Sequence, residues 1–152
     1  MACRFYYGLI GLISFLLSTL IVQSLKRMVF YDTMRPSKFF ADLTDLYYVD
    51  GLTLHSYFSF PSGHSSGAFT MFLAFALFVE NQWLKFACFV FALLVAFSRV
   101  YLMQHFFIDT YFGALIAVII TLLVYSYFHY RTNLKNHSML QRNFFRKGGN
   151  QS

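Results

Sequence analysis

The residues best suited to chemistry are Ser98, Arg99, Gln104, His105 and Asp109, which lie close together between two long apolar runs. Polar groups in such surroundings are costly, so a functional role is the default hypothesis. His105 and Asp109 are four residues apart, and on a helix the carboxylate would stack against the imidazole. That contact fixes the tautomer and leaves the other ring nitrogen free as a base, nucleophile or ligand. Arg99 adds donors suited to a phosphate or carboxylate. The structural alternative is a His–Asp helix cap beside an arginine that extends to the membrane surface.

The composition indicates an integral membrane protein. The 152-residue chain is 58% apolar, 22% aromatic and only 12% charged, whereas soluble domains are roughly 45–50% apolar and about 25% charged. A soluble domain of this length could not bury so much apolar surface. Cys3 and Cys88 are isolated and give neither a disulfide framework nor metal-ligand spacing.

The apolar runs predict an all-α transmembrane bundle with about four membrane-spanning helices. They cover residues 5–25, 64–79, 83–101 and 106–130, and about twenty residues are needed to cross a bilayer. The connection 26–60 mixes charges with aromatics, as is typical of the headgroup level, and includes a short interfacial helix at SKFFADL. We therefore expect a membrane-embedded domain, residues 1–130, followed by a basic cytoplasmic tail, residues 131–152.

Four crossings place both termini on one side of the membrane and the polar clusters on the other. Seven Lys and Arg residues fall on the side of the termini and five on the side of the clusters. By the positive-inside rule, the termini are expected in the cytoplasm. The clusters would then face the periplasm or exterior from a multi-pass protein of the cytoplasmic membrane.

A second polar cluster, FPSGHSSG, leads directly into the apolar run that begins near residue 64. Pro61 and Ser62 are typical of a helix start, and Gly63 allows the backbone to come close to a ligand. The first turn of a helix offers free N–H groups and a positive dipole end, which favour an anion. His64 is placed beside that turn. The structural alternative is a plain N-cap followed by a surface histidine.

Three motifs follow one another along the chain: Lys26…Arg35-Pro36, Pro61-Ser62-Gly63-His64 and Ser98-Arg99-x5-His105-x3-Asp109. In this order they resemble the signature of the type 2 phosphatidic acid phosphatase superfamily. That superfamily includes the lipid phosphate phosphatases, and the soluble vanadium haloperoxidases share its pocket. The family pattern has six residues between the lysine and the Arg-Pro pair, whereas eight separate Lys26 from Arg35, so Lys26 and Arg27 both remain candidates. Family members usually cross the membrane six times, which implies that the first two helices are missing here.

The resemblance implies an integral membrane phosphatase that cleaves a lipid phosphate or diphosphate without a metal or cofactor. His105, oriented by Asp109, would attack phosphorus and form a phosphohistidine. His64 would protonate the leaving oxygen and then activate water. The phosphate would be held by Lys26, Arg35, Ser62, Gly63 and Arg99.

Several alternatives stay open at the level of sequence. The substrate could be phosphatidate, phosphatidylglycerophosphate, a polyprenyl diphosphate or a lipid A phosphate. The chain could instead be an impaired or truncated phosphatase-like protein that binds lipid phosphates or acts as a scaffold, or an oxidant that uses bound vanadate. Gly8, Gly11 and Ser14 predict a small-residue face on the first helix that has no partner within these four helices and packs against the missing helices or a second copy. No nucleic-acid partner is expected.

Overall fold

The computed structural model describes residues 2–42 and 55–147, with side chains at 6–42 and 55–131. Within these ranges every regular element is a helix, which confirms the predicted all-α class. The elements are α1 (Ala2–Ser24), a π-helical turn (Leu25–Val29), α2 (Pro36–Phe39), α3 (Gly63–Phe78), α4 (Gln82–Tyr101) and α5 (Phe107–Lys147). Residues 43–54, in the middle of the predicted long connection, and residues 148–152, at the end of the predicted tail, lie outside this description.

Three segments of the described chain are long and apolar enough to cross a membrane: Tyr6–Val29, Gln82–Tyr101 and Phe107–Arg131. The fourth apolar helix, α3, has 16 residues and is about 24 Å long, less than the roughly 30 Å thickness of a bilayer's hydrocarbon core. Large apolar side chains on the long helices face outward; Leu20, Trp83 and Leu123 are 63%, 80% and 65% exposed. These surfaces are those of a membrane protein, because lipid tails can cover them.

Helix α3 forms the centre of the bundle and packs against α1, α4 and α5, while α1 also packs against α5. Small and hydroxyl side chains occupy these contacts. Ser18 of α1 and Thr70 of α3 share a buried hydrogen bond of 3.0 Å, and Ala92 and Ala117 are almost fully buried in α4 and α5. Small residues let helix backbones approach closely where no hydrophobic effect drives them together.

The predicted unpartnered face on α1 is wrong for two of its three residues. A Cβ at Gly11 would lie 3.4 Å from Ala74 Cβ of α3, and Ser14 is fully buried. Gly8 alone of the three has open space beside it. Gly11 and Ser14 therefore pack within this chain, and their spacing along the helix could not reveal which neighbour they would meet.

Helix α5 is longer than the apolar run that predicted it. Its apolar part ends at Arg131, yet the backbone stays helical to Lys147. Residues 131–147 contain neither proline nor glycine, so no residue in this stretch breaks the helix. The membrane-embedded unit and the predicted tail are thus joined by one continuous helix.

The change in polarity at Lys26 and Arg27 suggested that the first helix ends there, but the helix runs on. It continues as the π-helical turn to Val29. A π turn holds about one more residue than an α turn. Lys26 follows the buried Val22 by four residues, so it points into the bundle and is 8% exposed, whereas Arg27 is exposed.

The two described arms of the long connection are tied to each other and to the end of α4. Arg35 N–H donates to the Ser56 carbonyl at 3.0 Å, and Ser59 N–H donates to the Thr33 carbonyl at 3.1 Å. The predicted interfacial helix is the single turn α2, Pro36–Phe39. These bonds hold the connection over one end of the bundle.

Candidate active site

The three polar clusters meet at one end of the bundle. A three-residue connection joins α3 to α4, so these packed helices are antiparallel, and the start of α3 lies beside the end of α4. A cavity of about 1260 Å³ opens here. Six of the eight predicted site residues line it: Lys26, Arg35, Gly63, His64, Arg99 and His105. The other two, Ser62 and Asp109, are buried and do not line the cavity.

Asp109 lies in the first turn of α5 and faces the imidazole of His105. Its Oδ2 accepts hydrogen bonds from the Ser59 hydroxyl and from the Phe106 N–H at 2.9 Å. His105 Nδ1 is 3.6 Å from the same oxygen, just beyond hydrogen-bond distance. Catalytic hydrogen bonds are often long in unliganded sites and tighten when substrate binds. The hydrogen bonds from Ser59 and Phe106 therefore fix the carboxylate with its Oδ2 facing the imidazole.

His105 is 1% exposed, and within the described residues neither of its ring nitrogens has a hydrogen-bond partner. Burial lowers the pKa of His105 below its usual value near 6.5. Asp109 opposes this shift, while Arg35 and Lys26 add to it. The imidazole is thus neutral at neutral pH, and the nitrogen turned away from Asp109 keeps a lone pair for attack.

A tight turn after α4 brings His105 next to Arg99. The N–H groups of Gln104 and His105 both donate to the Arg99 carbonyl, at 3.0 and 3.2 Å, and Met103 adopts a positive φ of 55°. Arg99 Nη1 donates to Gln104 Oε1 at 3.1 Å, while its buried Nε has no partner within the described residues. The guanidinium therefore keeps donors available on the cavity side.

Ser62 serves as the N-cap of α3, the structural role that the sequence left open. Its Oγ accepts hydrogen bonds from the Ser65 N–H at 3.3 Å and the Ser65 hydroxyl at 3.1 Å. Gly63 and His64 follow it and line the cavity. The positive end of the α3 dipole and its first N–H groups therefore lie at the cavity wall, where they favour an anion.

The two histidines lie on either side of a gap. Their ring centroids are 6.3 Å apart, and His64 is exposed to the cavity whereas His105 is buried. A substrate group in contact with both rings could be attacked by one ring and protonated by the other. Chemically, this arrangement suits in-line displacement at a tetrahedral centre such as phosphorus.

Two positioning residues were missed in the sequence, Ser59 and Gly113. Ser62 N–H donates to the Asp109 carbonyl at 2.9 Å, and a Cβ at Gly113 would lie 2.4 Å from the Ser62 carbonyl oxygen. Only glycine allows α5 to approach this closely. Neither residue belongs to a motif with a recognised spacing. The sequence offered only that Ser59 lies close to the Pro61–His64 motif, and it offered no indication for Gly113.

The cationic side of the site comes from α1 and the connection. Lys26 points into the bundle from the π-helical turn, and Arg35 Nε donates to the Tyr57 carbonyl at 3.0 Å. Arg27 also lines the cavity, but from an exposed position at its rim.

Outside this cavity, the part of the chain with described side chains carries little further polar chemistry. No group of three or more His, Cys, Asp or Glu in residues 6–42 and 55–131 is placed to hold a metal ion. Cys88 is a buried free thiol in α4, and His129 stacks on Tyr125 at 5.7 Å.

Comparison with known proteins agrees with the motifs. The family model of the PAP2 superfamily matches residues 7–133. The crystal structure of LpxE from Aquifex aeolicus is similar, with a TM-score of 0.65 and 29% sequence identity over 77% of this chain. The match covers 66% of that chain, slightly less than two thirds. No curated protein matches. Because the family match covers all three clusters that meet at the cavity, the chain belongs to the PAP2 superfamily.

Proposed function

We propose that this protein hydrolyses a phosphate or diphosphate group of a membrane lipid through a phosphohistidine on His105, without a metal ion. The observation that carries this proposal is the shape of the cavity. It combines a cluster of cations and a helix N-terminus at one end with an extension along a membrane-spanning helix at the other.

The extension follows one face of α1. Phe15, Thr19, Val22 and Lys26 recur at helical spacing and all line the cavity. From Lys26 to Phe15 the helix advances about 16 Å, into the apolar part of the span. A substrate whose phosphate reached Lys26 would place the rest of the molecule beside lipid chains. This favours a lipid-anchored phosphate over a soluble one.

The first half of the reaction follows from the charges. Lys26, Arg35 and Arg99, with the N–H groups at the start of α3, would neutralise the equatorial oxygens of the transferring phosphoryl group. The free nitrogen of His105 would form a bond to phosphorus as the bond to the lipid oxygen breaks. Asp109 would stabilise the positive imidazole. Burial and the nearby Arg99 lower the pKa of His64, and the negative charge of a bound phosphate would raise it again, so that His64 becomes protonated and gives its proton to the leaving oxygen.

The second half returns the enzyme to its starting state. Water would attack the phosphohistidine, His64 would take its proton, and the phosphorus–nitrogen bond would break to release inorganic phosphate. The phosphate charge is then balanced throughout by three protein cations and a helix end, which is the basis for expecting metal independence.

The test is phosphate release by the purified full chain in detergent. The probes are dioleoyl phosphatidate, phosphatidylglycerophosphate, a polyprenyl diphosphate and lipid A, each assayed with EDTA present. We expect release from at least one lipid and inhibition by vanadate, whose trigonal-bipyramidal geometry is like that of the transition state. Release that requires an added divalent ion would contradict the mechanism. If no lipid releases phosphate, the alternative of a lipid-phosphate-binding protein without turnover is favoured.

We further propose that the site faces the outside of the cytoplasmic membrane. The excess of Lys and Arg on the side of the termini supports this orientation. In a variant without Cys3 and Cys88, single cysteines at Asp32 and Asn150 should differ in labelling by an impermeant maleimide. We expect the cysteine at 32 to react in intact cells and that at 150 only after lysis. The reverse pattern would refute the orientation.

A further inference from the structure

Ser66 has a buried hydroxyl that nothing in the mechanism uses. The residue is 1% exposed, lines the cavity and, within the described residues, offers its Oγ no hydrogen-bond partner. Buried polar atoms are almost always bonded, so each exception in a native structure calls for an explanation. A polar atom that lines a binding cavity is explained if its partner arrives with the ligand.

The position of Ser66 tells which part of a ligand it would meet. It lies three residues after Gly63 on α3, about 4.5 Å further along the helix axis, and it lines the same cavity as Gly63 and Gly67. Cβ atoms built at Gly63 and Gly67 would lie 3.9 Å from Val22 and 3.5 Å from Phe15 of α1. Ser66 is therefore located between the cationic end of the cavity and its apolar extension.

We infer that Ser66 forms a subsite that hydrogen-bonds an ester oxygen next to the phosphate of a glycerol-based lipid. This inference rests on the proposed function. In such a lipid the ester groups lie a few bonds from phosphorus, between the charged headgroup and the hydrocarbon chains. A phosphate on a plain alkyl or prenyl chain has only carbon at that place, and it leaves the hydroxyl unpaired. The subsite thus favours glycerolipid phosphates over chain phosphates, because a missing partner leaves a buried polar group unsatisfied.

The test is a comparison of two substrates in three proteins. The substrates are dioleoyl phosphatidate and oleyl phosphate, and the proteins are the full-length wild type, Ser66→Ala and Ser14→Ala. Ser14 is the matched control, because its hydroxyl is also buried without a partner in the described chain but does not line the cavity. The measured quantity is kcat/KM for phosphate release, together with the ratio between the two lipids.

Ser66→Ala should lower kcat/KM for phosphatidate about three- to tenfold, the loss of one hydrogen bond, and leave oleyl phosphate unchanged. Ser14→Ala should not change the ratio. An equal loss on both lipids, an unchanged ratio, or a wild type that cleaves only oleyl phosphate would overturn the subsite while leaving the proposed function intact. A wild type that cleaves neither lipid would overturn the subsite, and the proposed function falls with it only if phosphatidylglycerophosphate, the polyprenyl diphosphate and lipid A also release no phosphate.

Discussion

Replacing His105 by alanine is expected to abolish turnover and the formation of any phosphoenzyme. Among the residues that the structure describes at this site, His105 alone supplies a neutral ring nitrogen that a carboxylate backs, and no other side chain at the end of α4 can replace it. The rate of phosphate release should fall by at least about 10⁴-fold, as when a nucleophile is removed from a group of residues that act together in catalysis. Rapid-quench detection of labelled protein, with wild type as the reference, measures the loss directly.

His64→Ala should fail in a different way. Without its acid, cleavage of lipid phosphates should slow by about 10²–10⁴-fold. Nitrophenyl phosphate has a leaving group that needs little protonation, so it should still phosphorylate His105. Hydrolysis should then stall, because the base that activates water is missing, and labelled protein should accumulate.

Asp109→Asn provides the intermediate case, a weaker version of the His105 defect, because the imidazole loses its fixed tautomer. Acid-labile label in His105→Ala, or its absence from His64→Ala with nitrophenyl phosphate, would overturn the assignment of the two roles. Equal behaviour of the two alanine variants with both substrates would do the same.

Lys26→Met should lower kcat/KM by about 10²-fold or more, the size seen when one preorganised donor to a transition state is lost. This ammonium lies on the face of α1 that lines the cavity, where it is shielded from water. Methionine keeps the aliphatic stem, so the substitution removes charge with little change in packing.

Arg27→Met is the matched control. It removes the same charge from the adjacent residue, which lies exposed at the rim, and should change kcat/KM by less than about threefold, because exposed charges interact weakly through water. Thermal unfolding of both variants would show that neither effect reflects a loss of fold. Equal losses in the two variants, or the larger loss in Arg27→Met, would contradict the proposal that Lys26 is one of the cations that hold the phosphate.

The sequence by itself determined that this is a helical membrane protein and that the motifs before α3 and after α4 lie at the same end of the bundle. Long apolar runs in a chain with 12% charged residues indicate helices that lipid covers, since a helix satisfies its backbone groups within its own segment. The short connection between α3 and α4 makes them antiparallel neighbours, so the motif before α3 and the motif after α4 reach the same membrane face. Distances along the chain were sufficient for these conclusions.

Only the tertiary structure decided which side chains turn into the cavity. Lys26 and Arg27 are adjacent in sequence, and the packing of α1 against α3 and α5 decides that Lys26 is the one that faces inward. Ser59 and Asp109 are 50 residues apart, and their hydrogen bond exists only because α5 packs against the start of α3.

The same reason applies to Gly113, Ser14 and Ser66. Gly113 matters because the Ser62 carbonyl lies beside it, and Ser14 and Ser66 differ only in what faces them across the bundle. A pattern of residue types records the face of a helix, but not the neighbour that the face will meet. Contacts between distant segments supply that information, because they fix both the rotation of each helix about its axis and the partner against which it packs.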